Sequence, residues 1–451
     1  MRKRKFMKNL SGILLAAGMI TVNFFSAVSV SAADQVNLQE TYEIATNQIP
    51  QWPRGPELDA DTGIVMDADT GAVLYEKGAD EKRYPASITK LMTLLVAVEN
   101  SRVKEEVTFT DICLRDQTPD SSNIGMQVGE VMSMKDCLFA MMLASANEVS
   151  TQIAEYVGGT EEHFIQMMNE RALELGCENT KFINANGLPG EGQYTTARDM
   201  ALIFQEVLRN KTARKVITTW KYTISPTNLH GEERVLATHH PMVYKNLEYY
   251  YKGCLGGKTG GTNDAGSTLV SGAKRDGVTY IAVVLRASGM PQACFDTAHL
   301  FDYAYDNFEK TDLDGVGAVT LPKGIRVEEL EARDTEEKGE MIRQYYFQGR
   351  YMGYSTVPEP TEVPLEEAGD ADEMPLFQES GPESKDPIEA GEQEPLEDLA
   401  ELSGSADDEA RGISHMTKIL SVIMGIMVVF LLLLLIALFR KKKRKKQKHR
   451  F

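Results

Sequence analysis

Residues 85–93 of this 451-residue chain read PASITKLMT, a proline followed by apolar residues at helical spacing that continue to residue 100. Because proline is tolerated at the first position of a helix, the stretch predicts a helix that begins here. On that helix, Ser87 and Lys90 share one face about one turn apart. A neutral lysine amine there could accept the serine proton if burial or a second cation lowered its pKa from about 10.4.

The pairing of Ser87 with Lys90 is weak evidence by itself. Two further serine–lysine pairs in the chain have the same spacing: Ser101 with Lys104, and Ser271 with Lys274. Both residue types are common, so the isolated pattern favours ordinary solvated side chains. Catalysis is indicated only if other motifs accompany it.

A second candidate motif is Ser145-Ala146-Asn147, at a break between two predicted helices in residues 132–159. The Ser145 hydroxyl could relay a proton to a leaving amine, and the Asn147 amide could hold a substrate carbonyl. These residue types also favour a helix N-cap, which is the structural alternative. Ser121-Ser122-Asn123 has the same spacing and is interpreted as a chance match.

A third candidate motif, Lys258-Thr259-Gly260, occurs once, just before a predicted β-hairpin at 266–288 with an Asp-Gly turn. It is therefore predicted on an adjoining strand, where an extended peptide could pair with it. Gly260 and Gly261 leave room for a close backbone approach. Lys258 would help to keep Lys90 neutral and would attract a carboxylate. The structural alternative is a glycine turn with an exposed lysine.

In this order, the three motifs resemble those of the penicillin-recognising serine acyltransferases. The surrounding sequence is similar to that of the D-alanyl-D-alanine carboxypeptidases over residues 58–310. The stretches that carry this resemblance are IVMDADTGAVLYEKGADEKRYPASITKLMT (64–93), SANEVSTQIAEYVGG (145–159), NANGLPGEGQYTTARDMALI (184–203) and GGKTGGTNDAGSTLVSGAKRDGVTYIAVV (256–284).

The resemblance implies an α+β fold of the β-lactamase/transpeptidase type, with an antiparallel sheet flanked by helices and a helical subdomain. The order of predicted strands and helices agrees, since strands flank a helical middle. It also implies a serine carboxypeptidase that needs neither metal nor cofactor. This enzyme would remove the terminal D-alanine from peptidoglycan stem peptides ending in D-Ala-D-Ala, and β-lactams would acylate it as substrate mimics.

The resemblance also implies a role for each matching residue. Ser87 would be the acylated nucleophile and Lys90 its base, with Ser145 and Lys258 relaying protons. The backbone N–H groups of Ser87 and Gly261 would form the oxyanion hole. The residues that would bind or orient the substrate are Asn147, Lys258, Thr259, Gly260, Gly261 and Thr262.

Two departures from the family pattern concern the substrate site. Gly261 stands where relatives often have a larger side chain. Relatives also place an arginine beyond the strand that ends near residue 285, whereas RASGMPQAC (286–294) does not align clearly with them. Arg286 is the available candidate for binding the substrate carboxylate.

Two other functions stay open at this point. A β-lactamase shares the three motifs, and Glu206 and Asn210 match a Glu-x-x-x-Asn loop used by one class of those enzymes, although they lie within a predicted helix. A non-hydrolysing penicillin-binding sensor or wall-tethering module would also contain this domain. The completeness of the motifs favours the carboxypeptidase over both.

Both termini predict export and anchoring. Residues 1–32 combine a basic start, an apolar stretch and small residues at 30–32, which is typical of a signal peptide, with an uncleaved anchor as the alternative. Residues 419–439 are 21 uncharged residues, long enough to span a hydrocarbon core of about 30 Å. The basic tail at 440–451 is expected in the cytoplasm. The protein is therefore predicted to be a single-pass protein of the cell membrane, contacting the bilayer through 419–439, with an extracytoplasmic catalytic domain.

Charge and composition divide the rest of the chain. The formal net charge is −18, and residues 357–411 contain 19 acidic residues, two basic residues and seven prolines. Residues 357–412 are therefore predicted to be a disordered acidic linker. Residues 33–356 are also acidic as a whole and contain no basic stretch, which argues against nucleic-acid binding. We predict a polar lead-in at 33–56, the catalytic domain at 57–310 and a shortened, small β-rich domain at 311–356.

The cysteines predict neither a disulfide framework nor a metal site, because they are scattered, odd in number and without Cys-x-x-Cys spacing. A single disulfide between two of them is left as an alternative if the domain lies outside the cell. The five positions are Cys113, Cys137, Cys177, Cys254 and Cys294.

Overall fold

The computed structural model describes residues 36, 38, 41–337 and 339–357. The predicted signal peptide, all but the first residue of the predicted acidic linker, the predicted membrane span and the basic tail lie outside the described residues. Within the described ranges, no helix is both long enough and apolar enough to cross a membrane.

The described helices and strands alternate in a mixed order along the chain. The α-helices are α1 (Lys90–Asn100), α2 (Met134–Leu143), α3 (Asn147–Gly158), α4 (Glu161–Glu174), α5 (Ala197–Arg209), α6 (Lys211–Ile217) and α7 (Met290–Asn307). The strands are β1 (Thr62–Asp67), β2 (Val73–Lys77), β3 (Glu106–Thr108), β4 (Val131–Ser133), β5 (Lys221–Ile224), β6 (Arg234–Ala237), β7 (Cys254–Thr262), β8 (Gly266–Arg275), β9 (Val278–Ala287), β10 (Phe308–Asp312), β11 (Gly317–Pro322), β12 (Glu331–Glu337), β13 (Glu340–Phe347) and β14 (Arg350–Thr356).

The central sheet is antiparallel, with strand order β2-β1-β9-β8-β7. Side chains of β1 alternate between two hydrophobic clusters: Ile64 and Met66 face the helices α1 to α6, and Val65 faces α7. Because successive side chains in a strand point to opposite faces, this places helices on both sides of the sheet. The predicted α+β fold, an antiparallel sheet flanked by helices with a helical subdomain, is confirmed.

Helix α1 lies in the middle of the helical region, and its first eight residues are all buried. It begins at Lys90, five residues after Pro85, and residues 86–89 form a tighter 3-10 turn (Ala86–Thr89). The predicted helix start was therefore too early. Ala86 has a φ of 50°, in the left-handed region, so α1 cannot begin at Pro85 or Ala86.

A second antiparallel sheet, with order β10-β11-β14-β13-β12, is built from residues 308–356. Its Val319 and Met352 belong to the same hydrophobic cluster as Phe301 of α7. Part of the predicted polar lead-in is also integrated into this core. Trp52 is buried, donates its indole N–H to the Leu74 carbonyl at 2.8 Å and stacks on Phe347.

An ion-pair cluster joins the two sheets through Glu76 of β2. Its carboxylate accepts hydrogen bonds from Nη1 and Nη2 of Arg350 in β14, at 2.8 and 2.7 Å, and from Nη2 of Arg198 in α5, at 2.8 Å. Burial would raise the pKa of Glu76, but the hydrogen bonds and charges of the two arginines outweigh it and lower the pKa to about 2. This carboxylate therefore stabilises the fold fully above its unfolded pKa, and the stabilisation is lost as the pH falls toward 2.

We expect Glu76→Gln to lower the free energy of unfolding at pH 7 by about 2 kcal/mol, because two partly buried arginines lose their counter-charge. The difference from the wild type should shrink as the pH falls from 4.5 toward 2. Denaturant unfolding of residues 41–357 at several pH values measures it. The matched control is Glu329→Gln, which breaks an exposed pair with Arg326 and should cost less than about 0.5 kcal/mol. Equal stability of the Glu76 variant and the wild type at pH 7 would contradict the prediction.

Candidate active site

Lys90 lies within hydrogen-bond distance of three oxygen atoms. Its Nζ is 2.6 Å from Asn147 Oδ1, 2.6 Å from the Asn186 carbonyl oxygen and 3.1 Å from Ser87 Oγ. The side chain of Lys90 is completely buried, while Ser87 is partly exposed. A neutral amine has two N–H groups and one lone pair. If the two N–H groups donate to the two closest oxygens, the lone pair is left for the Ser87 hydroxyl.

The surroundings of Lys90 favour this neutral form. Burial lowers its pKa well below the usual value, and the positive charge of Lys258 lowers it further. The carboxylates of Glu148 and Asp116 act in the opposite direction and are outweighed. Burial also lowers the pKa of Lys258 to about 7. The predicted cause of a neutral Lys90, burial together with Lys258, agrees with this arrangement.

Ser145 lies in the short break between α2 and α3, where its hydroxyl accepts a hydrogen bond from Lys258 Nζ at 3.1 Å. Its φ is 57°, a left-handed conformation that a non-glycine residue rarely adopts. The N-cap of α3 is Ala146, and no side chain caps that helix end. The structural alternative, an N-cap by Ser145 or Asn147, is therefore not what the structure shows.

The third motif lies on β7, an edge strand of the central sheet. Lys258 and Gly260 are buried there. A Cβ on Gly260 would lie 2.9 Å from the Ser87 amide nitrogen and 2.4 Å from Thr268 Oγ1, so the strand can approach the nucleophile this closely only with glycine. Gly261 and Thr262 follow at the accessible end of the strand.

A cleft of about 440 Å³ opens in front of the turn that carries Ser87. Its walls come from that turn, from residues 187–193 and from the end of β7. The lining residues are Tyr84, Pro85, Ala86, Gly187, Pro189, Gly190, Glu191, Gln193, Thr262 and Asp264. A peptide in this cleft would lie beside the turn that carries Ser87 and beside the end of β7.

The structure thus brings together the predicted residues Ser87, Lys90, Ser145, Asn147 and Lys258, which lie in three separate parts of the sequence. Thr259 and Gly260 follow on β7, and Gly261 and Thr262 complete its end.

Two site residues were missed by sequence reasoning. Asn186 presents its carbonyl oxygen to Lys90. Ser121 accepts a hydrogen bond from Asn147 Nδ2 at 2.8 Å, although its Ser-x-Asn stretch was interpreted as a chance match. That stretch does not repeat the catalytic arrangement, but it supports Asn147. No local pattern signals either contact, because both depend on segments far apart in the chain.

The other candidate residues have different partners. Arg286 forms an ion pair with Asp61, at 2.9 Å. Glu206 lies on α5, where it pairs with Arg171 and Arg209 instead of lining a catalytic loop.

The remaining sequence matches belong to ordinary structure. Ser101 donates to the Ala97 carbonyl at the end of α1, and Lys104 is exposed. Ser271 bonds to His240 within the sheet. The five cysteines are free thiols, so the disulfide left open by the sequence does not form.

The fold is shared with solved D-alanyl-D-alanine carboxypeptidases and DD-transpeptidases. The D-alanyl-D-alanine carboxypeptidase DacD of Francisella tularensis superposes with a TM-score of 0.55 and 25% identity, covering 67% of this chain and 93% of that one. The Streptomyces K15 DD-transpeptidase gives a TM-score of 0.53 and 27% identity, covering 56% of this chain and 100% of that one. Fold and site together therefore place the chain in this structural class.

The family model for peptidase S11, D-alanyl-D-alanine carboxypeptidase, matches residues 47–289, and the chain belongs to this family. The D-alanyl-D-alanine carboxypeptidase DacF of Bacillus subtilis is 33% identical over 254 residues, which are 56% of this chain and 63% of that protein. A second relative, DacC of Escherichia coli, is covered over 59% of its length. The match thus spans about three fifths of the length of these two relatives.

We expect Lys258→Ala to move the acidic limb of the pH–rate profile for Ser87 acylation to higher pH. The variant removes the charge that lowers the pKa of Lys90, so Lys90 keeps its proton up to a higher pH. Acylation by a β-lactam or an activated ester, followed by intact mass between pH 5 and 10, measures the limb. The matched control is Ser145→Ala, which removes the hydrogen-bond partner of Lys258 but keeps the charge. It should lower the rate without moving the limb. An unmoved limb in Lys258→Ala would show that Lys258 does not tune Lys90.

Proposed function

We propose that this protein is a serine D-Ala-D-Ala carboxypeptidase. It removes the terminal D-alanine from peptidoglycan stem peptides through an acyl-enzyme on Ser87. The observation that carries the proposal is the buried Lys90 amine, whose Nζ is 3.1 Å from Ser87 Oγ. In the neutral form, each of its two N–H groups has an acceptor at 2.6 Å. A lysine in this setting can act as a general base at neutral pH.

In the acylation step, Lys90 takes the proton of Ser87 while Oγ forms a bond to the carbonyl carbon of the penultimate D-alanine. The backbone N–H groups of Ser87 and Gly261 stabilise the oxyanion that forms, and each such donor commonly contributes about 3–4 kcal/mol. Ser145 passes its hydroxyl proton to the nitrogen of the leaving D-alanine, and the peptide bond breaks. The proton that Lys90 took from Ser87 is returned to the Ser145 oxygen, so Lys90 is neutral again before deacylation. Lys258, hydrogen-bonded to Ser145 at 3.1 Å, orients that hydroxyl for the relay.

In the deacylation step, a water molecule replaces the departed D-alanine. Lys90 removes a proton from this water, which attacks the ester carbonyl of the acyl-enzyme. Ser87 then leaves as the hydroxyl and recovers its proton, and the shortened stem peptide departs with a free carboxylate. No metal ion or cofactor takes part in either step.

The proposed binding mode places the stem peptide along the free edge of β7, as an added strand. Its terminal carboxylate lies near Thr259, Thr262 and the charge of Lys258. Arg286 is not used for this purpose, because it is ion-paired with Asp61. β-Lactams occupy the same place as substrate mimics and acylate Ser87.

The anchoring that the termini predict is part of the proposal. Residues 1–32 direct export, the catalytic domain at 57–310 and the β-rich segment at 311–356 lie outside the cytoplasm, and the acidic linker at 357–412 holds them away from the membrane. Residues 419–439 span the bilayer, and the tail at 440–451 lies in the cytoplasm. The support for this arrangement is the sequence of those segments.

The decisive experiment incubates the protein with a D-Ala-D-Ala peptide and, separately, with benzylpenicillin. We expect D-alanine release and a stable penicillin adduct on the wild type, and neither on Ser87→Ala. Chromatography of the free D-alanine and intact mass measure the two outcomes. Absence of any penicillin adduct would overturn the assignment of Ser87. An adduct without D-alanine release would favour the non-hydrolysing sensor, and rapid turnover of penicillin would favour the β-lactamase.

Removing residues 413–451 tests the anchor. The full chain, expressed in a bacterial host, should sediment with the membranes, whereas the truncated chain should be released in soluble form on the outer side of the membrane. Cell fractionation with penicillin labelling of Ser87 follows both proteins. Membrane sedimentation of the truncated chain would contradict an anchor at 419–439.

A further inference from the structure

The two acceptors that orient Lys90 are both held by one loop that the proposed mechanism does not use. The loop begins at the 3-10 turn Asp111–Leu114 and continues to residue 124. Asp116 is its buried acidic residue, only 7% exposed.

The first acceptor of Lys90, the Asn186 carbonyl oxygen, belongs to a residue whose side chain is hydrogen-bonded to the Asp116 carboxylate. Asp116 Oδ2 accepts hydrogen bonds from Thr151 Oγ1 at 2.6 Å and from Asn186 Nδ2 at 3.2 Å. The side chain of Asn186 is thereby fixed, and its own carbonyl oxygen accepts from Lys90 at 2.6 Å. The same Asn186 side chain also donates to Thr151 Oγ1 at 3.2 Å and accepts from the Leu188 N–H at 2.9 Å, so Asp116 Oδ2 is one of three partners that hold the Asn186 peptide group near Lys90.

The second acceptor of Lys90, Asn147 Oδ1, is connected through Ser121 to the backbone carbonyl oxygen of Asp116. The Asp116 carbonyl oxygen accepts from Ser121 Oγ at 2.6 Å, and Ser121 Oγ in turn accepts from Asn147 Nδ2 at 2.8 Å. The opposite end of the same amide, Asn147 Oδ1, accepts from Lys90 at 2.6 Å. This chain fixes the amide orientation, because Nδ2 must face Ser121 for Oδ1 to face the amine.

Asp116 is itself anchored. Arg115 Nη2 donates to Asp116 Oδ2 at 3.0 Å, and Arg115 Nη1 donates to Glu161 Oε2 at 2.6 Å. Glu161 is the first residue of α4. The loop is thus tied to the helical region on one side and to the two Lys90 acceptors on the other.

We propose that Asp116 is a positioning residue for Lys90, with Ser121 as its intermediary to Asn147. Together they hold the two acceptors so that the lone pair of the amine points at Ser87. The inference rests on the proposed function, since it assigns a role in the acylation of Ser87. Asp116 does not contact Ser87 and is not a catalytic residue.

The charge of Asp116 gives this role a readout that a purely structural role lacks. The charged groups that act on Lys90 are Lys258 from β7, Glu148 from α3, and Asp116. His239, before β7, is near enough for the charges of Lys258 and Lys90 to lower its pKa, after burial as the main cause. Asp116 raises the pKa of Lys90. Removing its charge lowers that pKa, so Lys90 loses its proton at lower pH and the acidic limb of the acylation profile moves to lower pH.

The experiment compares four variants by penicillin acylation of the whole protein across the pH range. Asp116→Asn removes the charge but keeps an oxygen that can accept from Thr151 and Asn186. Asp116→Ala removes both charge and acceptor. Ser121→Ala removes an uncharged intermediary. Asp120→Asn is the matched control, because Asp120 is an exposed carboxylate of the same loop.

The expected results differ for each variant. Asp116→Asn should keep its maximal rate within about fivefold while its acidic limb moves to lower pH. Asp116→Ala should show the same shift and lose roughly 10- to 100-fold in maximal rate, since misplacement by about 1 Å can cost this much. Ser121→Ala should lose about tenfold without a shift, and Asp120→Asn should match the wild type.

The outcomes that overturn the inference are specific. The positioning role would be excluded if penicillin acylates the wild type and the acidic limb of the pH–rate profile does not move in either Asp116 variant. A lower fraction of active protein with an unmoved limb would assign Asp116 to folding only. If Asp116→Ala does not fold, the pH profile of Asp116→Asn and the acylation rate of Ser121→Ala still test the positioning role. Failure of the wild type to acylate would instead overturn the proposed function.

Discussion

The burial of one amine, Lys90 Nζ, is the constraint on which the site depends. An amine without access to water is costly to protonate, so burial makes it a base at neutral pH. Burial also requires a hydrogen-bond partner for each of its N–H groups, and Asn147 and Asn186 supply them. Lys90 is the first residue of α1, and the first eight residues of this helix are buried. Its position on the helix therefore keeps the amine out of water.

Close packing around that amine explains several local departures from regular structure. Ala86 and Ser145 have left-handed backbones, which are retained where the surrounding structure determines them. Gly187 lies so near that a Cβ would be 1.9 Å from the Ala86 carbonyl oxygen, and Gly260 abuts the Ser87 amide. The nucleophile turn is therefore enclosed by backbone from two sides, which holds Ser87 in place without restricting access to the cleft.

Much of the fold was predictable because its signals are local. Helical periodicity after Pro85, the break near Ser145 and the Asp-Gly hairpin before β9 each arise within a short window of sequence. The 3-10 turn at 86–89 was not predictable, since the φ of Ala86 follows from the packing of residues 187 and 260. Burial of Trp52 was missed for a similar reason: its partners Leu74 and Phe347 are distant in sequence.

The sequence by itself determined which chemical groups are present: a serine and a lysine one helical turn apart, Ser145 and Asn147 at a helix break, and Lys258 on a glycine-rich strand. These patterns depend on neighbours in the chain. Only the tertiary structure decided that Lys90 lacks water, that Lys258 lies close enough to lower its pKa, and that Ser121 and Asn186 belong to the site. Burial and charge–charge distance are properties of residues far apart in sequence, so no short stretch can encode them.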